Sequence, residues 1–136
     1  MRGIKFRAWD KDYRYMNHKV MVGNVWEEDN YHAHVIWVDA EDVDYECESG
    51  WMNFDEHSNI EIMQYTGLKD KNGVDIYEGD IIWDAHNELR GKVTFGEGMF
   101  CVEWETYIER LFEVAADYHT EVIGNIYENP ELLEDV

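Results

Sequence analysis

Basic residues are missing from most of this chain. Between Val20 and Leu68 there is no Lys or Arg against twelve Asp and Glu, and from Leu111 to the end there are seven acids and again no base. A surface of that sign repels a phosphate backbone, which argues against direct nucleic-acid binding. Cysteine is scarce as well. Cys47 and Cys101 are the two present, with neither CxxC nor metal-knuckle spacing, and no apolar run is long enough to cross a membrane or to form the core of a leader. The expectation is a reduced, cytoplasmic protein with no membrane partner. Repeats, low-complexity tracts and interdomain linkers are also missing, so 136 residues read as a single domain, 1–136, within which 11–59 form a satellite β subdomain.

What the chain does have is acid and aromatic ring. It carries 31 acidic against 11 basic residues, a net charge of −20, and 15% aromatic residues. Six of the basic residues fall within positions 1–19, so the molecule has a basic tip on an acidic body. Attraction between the two, copy to copy, makes a homo-oligomer an expectation. The tryptophans at 9, 26, 37, 51, 83 and 104 are dispersed. They suit a core and sheet surface better than a stacking platform, which also needs Lys or Arg beside the rings.

Alternation at period two dominates the chain. Met1 to Asp10 reads as a first strand, followed by a charged turn over Asp10 to Arg14. Val20 to Trp26 and Tyr31 to Val38 read as a hairpin with the four-residue loop Glu27 to Asn30, and the acidic segment Asp39 to Ser49 as an exposed loop. Ile60 to Tyr65 is a strand leading into Asn72-Gly73, a pair suited to a type I′ turn. Glu78-Gly79-Asp80 is a second turn, before Ile81-Ile82-Trp83. Gly91 to Phe95 and Met99 to Trp104 form another hairpin around Gly96-Glu97-Gly98. Thr106 to Asp117 fits two periods: Tyr107, Leu111, Val114 and Ala115 would share a helical face, while β-branched and aromatic neighbours also allow a strand, and the segment is read as a short helix. Glu121 to Tyr127 is a strand interrupted at Gly124-Asn125, and Asn129-Pro130 begins a last helical turn that packs Leu132 and Leu133. The fold class is mainly β: a small SH3-like barrel or strongly bent antiparallel sheet with hairpin additions and one or two short helices.

Three blocks, KFRAWD at 5–10, QYTGLKDKNGVDIYEGDI at 64–81 and EVIGNIYENPELL at 121–133, resemble the YopX-like family of phage and prophage proteins, in the expected order. The resemblance implies a mainly β fold and a phage-associated origin. It brings no established activity or catalytic residue. The motif positions Thr66, Gly67, Lys69, Asp70, Asn72, Gly73, Tyr77, Gly79, Asp80, Gly124 and Asn125 enter as family positions of unassigned role.

Chemistry has few footholds in these residues. Asp70, Asp75, Glu78 and Asp80 offer carboxylates for acid–base work, but no nucleophile, His base or phosphate loop lies beside them, and turn aspartates commonly hydrogen-bond their own backbone. An Asp-x-Asn-x-Asp cation loop fails because position 74 is Val. His32 and His34, two apart on a strand, would point both rings to one face, and Asp84-Ala85-His86 has the same spacing, so that a carboxylate with imidazoles would suit zinc if the fold brought them together; two-apart His pairs on solvent-facing strands are common, and no metal is expected. Gly124-Asn125 fits a β-bulge. The reading these residues support is a phage or prophage accessory protein, non-enzymatic and without cofactor, that contacts a phage or host protein. Its alternative is an acidic nucleic-acid mimic that inhibits a host enzyme, with Asp39, Glu41, Asp42, Asp44, Glu46 and Glu48 as the acidic surface.

Self-repulsion at a net charge of −20 predicts that moderate salt stabilises the fold, because added ions screen charges more than about 8–10 Å apart. Thermal melts from low to moderate NaCl should show a rising melting temperature. A flat or falling trend would mean that the acids are already paired.

Overall fold

A computed structural model describes residues 4–18, 20–27, 30–37, 51–54, 60–116 and 119–134, and among the described residues are twelve strands, a short helix and a terminal 3-10 turn. The fold is mainly β. The chain divides into two compact units, Lys5–Met63 and Gln64–Val136 with Met1–Ile4.

In the first unit, β1 (Phe6–Asp10) pairs with β2 (Tyr15–Asn17), placing Ala8 opposite Asn17 and Asp10 opposite Tyr15. The expected charged turn joins them. Asp10 Oδ1 accepts from the N–H groups of Asp12 and Tyr13 at 2.9 and 3.1 Å, and Arg14 takes a φ of +53°. The first strand starts at Phe6 rather than Met1, since Ile4 and Lys5 lie outside the ladder. β3 (Val20–Glu27), β4 (Asn30–Trp37) and β5 (Trp51–Phe54) form an antiparallel meander. Its first hairpin is tighter than the four-residue loop expected, because Glu27 and Asn30 are themselves the last ladder pair. Ala8 and Ile60 are buried together, with Val20 and Ile62 packed against them. Lys11 and Glu61 form an ion pair at 2.7 Å. The acidic segment Asp39 to Ser49 lies outside the described residues.

β6 (Ile60–Lys69) begins in this unit and ends in the second, four residues beyond the Tyr65 expected. In the second unit β6 pairs with β7 (Asp75–Tyr77), Tyr65 opposite Tyr77 and Lys69 opposite Asp75, with a register shift between the two pairs where Gly67 sits at φ +86°. β8 (Asp80–Asp84), β9 (Leu89–Gly96), β10 (Met99–Glu103), β11 (Ile108–Arg110) and β12 (Thr120–Asn125) make a curled five-stranded antiparallel sheet, order β11-β10-β9-β8-β12. Helix α1 (Leu111–Ala116) follows β11 directly. Ile76, Ile82, Val93, Val102, Leu111 and Val114 form the core with Trp104. Gly91 admits that packing. A Cβ there would lie 2.6 Å from Val102 Cγ1 and 2.8 Å from Trp104 Cε3, so only a glycine lets β9 approach so closely.

Three local expectations change. Asn72-Gly73 is not a type I′ turn, for Gly73 has a φ of +81° while Asn72 stays out of the positive-φ region. The loop instead spans five residues, with Asp70 N–H donating to Val74 O at 2.9 Å and Gly73 N–H to Asp70 O at 3.0 Å. The physical reason is the Asp70 carboxylate, whose Oδ1 accepts from Asn72 and Val74 N–H at 2.8 and 2.9 Å. Thr106 to Asp117 is not one helix: Ile108–Arg110 is a strand on β10, and the helix begins at Leu111, where burial of Leu111 and Val114 directs the chain inward. Last, Pro130–Leu133 is a 3-10 turn whose preceding Asn129 makes no side-chain cap, because its Oδ1 already accepts from Asn125 N–H at 3.2 Å; Leu133 stays exposed.

Among the described residues, a two-residue type I′ turn lies at Glu97-Gly98, with φ values of +52° and +81° between the ladder partners Gly96 and Met99. Glutamate is a poor occupant of the left-handed region and asparagine a good one. Glu97→Asn should therefore stabilise the protein by about 0.5–1 kcal/mol. A urea midpoint that rises with unchanged slope checks this, and a midpoint that falls would contradict it.

Candidate functional site

The family-motif positions converge on the second unit, where they fasten backbone to backbone. Thr66 donates its hydroxyl to Ile76 O at 2.7 Å and accepts from Leu68 N–H at 3.2 Å, holding both sides of the β6 bulge. Lys69 pairs with Asp75 at 2.8 Å. Asp70, buried, adds to its loop bonds a third across the unit, from Val122 N–H to Oδ2 at 2.9 Å. Asn72 donates its side-chain amide to Glu121 at 3.3 Å. Asp80, 2% exposed, accepts from Tyr77 N–H at 2.7 Å, and the Tyr77 ring lies 5.5 Å from that of Tyr65. Gly79 at φ +87° donates to Val93 O and accepts from Ile126 N–H, at 2.8 and 2.9 Å.

Gly124-Asn125 lies at a bulge. The β12 register shifts between Val122 and Gly124, and Asn125 Oδ1 accepts from Tyr127 and Glu128 N–H at 3.0 and 2.8 Å. A Cβ on Gly124 would meet Asn129 Oδ1 at 2.5 Å.

The other chemical candidates are divided between the two units, His32 and His34 in the first, Asp84 and His86 in the second. Asp84 sets a turn, accepting from His86 N–H at 2.9 Å and from the Asn87 side-chain amide at 3.0 Å. The His86 ring stacks on His119 at 5.4 Å. Strand β4 carries His32 and His34 opposite Val25 and Gly23, and nothing of their side chains is among the described residues. Among the described residues no group of three or more His, Cys, Asp or Glu is placed to hold a metal ion. Cys101 is a free, half-buried thiol. Asp39, Glu41, Asp42, Asp44, Glu46 and Glu48 lie outside the described residues, whereas the described Asp10, Asp70, Asp80 and Asp84 all turn toward their own backbone.

A surface of another kind opens beside the β6 bulge. An apolar groove of about 440 Å³ runs between Thr66-Gly67-Leu68 on one side and Met99, Phe100 and Phe112 on the other, with Arg110 at its rim. Its floor is set by α1, because full burial of Leu111 turns Phe112 outward to 58% exposure. Phe95 lies edge-on to Phe100 at 5.1 Å and is 54% exposed, and Met99 is 40% exposed. Arg110 reaches Glu113 at 3.8 Å, an exposed pair that holds it loosely. Aromatic residues, Met and Arg are the types enriched where proteins bind one another, and large apolar side chains in one exposed patch mark such sites. Sequence reasoning missed the groove. The helical period that buries Leu111 and Val114 also leaves Phe112 on the opposite face, and that signal was available.

A model of the family described as YopX protein matches residues 5–134. The chain belongs to the YopX family. Among solved YopX-like folds, protein EF1440 from Enterococcus faecalis is 30% identical, with a TM-score of 0.64 over 98% of this chain and 100% of that one. Protein yopX from Bacillus subtilis is 22% identical, with a TM-score of 0.61 over 100% of this chain and 99% of that one, a likeness of fold. The comparison with curated proteins gives no match. The YopX match spans both units, and in the second unit the motif residues that carry it are the backbone fasteners rather than the exposed side chains of the groove.

Proposed function

We propose that the chain is a phage or prophage accessory module that works in the host cytoplasm through protein contacts, with no chemistry of its own, and that the groove beside the β6 bulge is its contact surface. The observation that carries this reading is the exposure of Met99 and Phe112, at 40 and 58%, on one apolar groove, with Phe95, 54% exposed, edge-on to its Phe100. An exposed apolar residue standing alone is ordinary, whereas a contiguous set with an arginine at its edge supports a docking role. The occupant that fits is a protein segment with one or two large apolar anchors flanked by Lys or Arg. Its apolar part fills the groove, and its charge complements a chain of net −20.

Selection of peptides from a random display library against the full chain tests this. The enriched sequences should carry basic residues around an apolar anchor. Phe112→Ser and Met99→Ser should each weaken binding about tenfold or more, as loss of a central anchor does, while moving stability by no more than about 0.5 kcal/mol. Leu111→Ala, which removes a side chain of 0% exposure, should instead cost about 2–5 kcal/mol of stability. Peptides that bind the Phe112→Ser protein as well as the parent, or that are acidic, would overturn the proposal.

A further inference from the structure

A second cavity, on the same unit and independent of the groove, has a different chemistry. It measures about 80 Å³ and is lined by Asp84, His86, Trp104, Glu109, His119 and Thr120. β8 and β12 bring its walls together, since Thr120 and Asp84 are ladder partners and Ala85 N–H donates to His119 O at 3.1 Å. Two of the lining side chains are almost wholly buried, Trp104 at 5% and Thr120 at 3% exposure. The Trp104 indole Nε1 and the Thr120 hydroxyl oxygen find no hydrogen-bond partner among the described residues. Buried polar atoms without partners are rare in native proteins, and two lining one cavity point to something that enters it. Trp104 also borders a wider cleft, but Thr120 does not.

The chemistry of the walls narrows what that is. An indole N–H can only donate, so neither a metal ion nor an ammonium group can be its partner. An anion is opposed by Asp84 and Glu109 at the same cavity and by the net charge of −20. Asp84 is already engaged, its Oδ1 by the His86 and Asn87 N–H groups and its Oδ2 by the Asn87 side-chain amide. The Tyr107 phenol is pushed above its ordinary range, first by desolvation and then by the neighbouring Glu109 carboxylate and the charge of Asp84. Glu109 keeps lone pairs for a further donor. What remains is a neutral group with an acceptor oxygen beside N–H donors. Ordered water also meets these hydrogen bonds, and at about 30 Å³ of liquid each roughly two to three molecules would fill this cavity; a neutral ligand that displaces them must reproduce their bonds.

We propose that this cavity binds a primary carboxamide, its oxygen accepting from Trp104 Nε1–H and the Thr120 hydroxyl and its NH2 donating to Glu109, beside the stacked His86 and His119 rings. The head group occurs in small aliphatic amides and in the side chains of glutamine and asparagine. Titration of the full chain with propionamide, followed by the 15N–1H resonance of the Trp104 indole, tests the proposal at the millimolar concentrations suited to so small a ligand. That resonance should shift saturably with propionamide and at least tenfold more weakly with propionate or propylammonium. Thr120→Val, which keeps the shape and removes the unpartnered hydroxyl, should weaken the amide at least fivefold while its urea midpoint stays equal or rises. A glutamine tripeptide that binds more tightly than propionamide, with its glutamate counterpart inert, would assign the head group to a peptide side chain; the reverse order would assign it to a free amide. An indole resonance unmoved by any amide would mean ordered water only and overturn the proposal. Equal responses to propionate, or full binding by the Thr120→Val protein, would overturn it as well.

Discussion

The second unit depends on one carboxylate. Asp70 is buried, and it accepts three backbone N–H groups, Asn72 and Val74 in its own loop and Val122 in β12. Hydrogen bonds to a charged acceptor contribute about 1.5–3 kcal/mol each, and a buried donor left without one costs about 1–3 kcal/mol. No other residue type of that length supplies two acceptor oxygens with lone pairs to spare. The bond to Val122 spans 52 positions of sequence. It joins the β6–β7 loop to β12 just before the β12 register shift, and Lys71 N–H on Thr120 O at 3.2 Å and Asn72 on Glu121 extend the same seam. Further seams repeat the device. Asp80 closes the turn after β7, Gly79 bridges to β9 and Ile126, and Asn125 closes the turn that follows β12. The motif positions of the second unit thus hold its loops.

Much of this was legible in the chain, because period two and turn residues are local signals. The Val20–Glu27 and Asn30–Trp37 hairpin, the strands either side of Glu97-Gly98, the turn at Glu78-Gly79 and the bulge in β12 follow from alternation and glycine placement. What failed was decided at a distance. Asn72-Gly73 carries the local signature of a type I′ turn, yet the Asp70 carboxylate draws the loop into another shape. Glu97 accepts a φ of +52° because the ladder from Met99 to Glu103 fixes the turn length at two residues. Residues 108–116 satisfy both periods, and β10 decides where strand ends and helix begins. No spacing rule could pair Thr120 with Trp104 at one cavity, or His86 with His119.

The division of labour that results is simple. The Asp70, Asp80 and Asn125 side chains of the motif are turned to the backbone, so part of the large negative charge belongs to the architecture. Apolar side chains that the sheet does not need, Phe95, Met99 and Phe112, are left outward around the groove. The bulge at Gly67 links the two roles, because the residues that interrupt the β6–β7 ladder are also a wall of that groove. The apolar groove and the motif residues therefore meet at Thr66-Gly67.

Amide hydrogen exchange on the parent chain and on Asp70→Ala tests the central role of that carboxylate most directly. The expected result is that the Asn72, Val74 and Val122 amides lose protection together, with a global loss of about 3 kcal/mol or more, as three charge-assisted hydrogen bonds require. The amides of the Glu97-Gly98 hairpin should lose no more than that global amount. If Val122 keeps its protection while the loop amides lose theirs, or if stability changes by less than about 1 kcal/mol, then Asp70 shapes its own turn and does not hold the unit together.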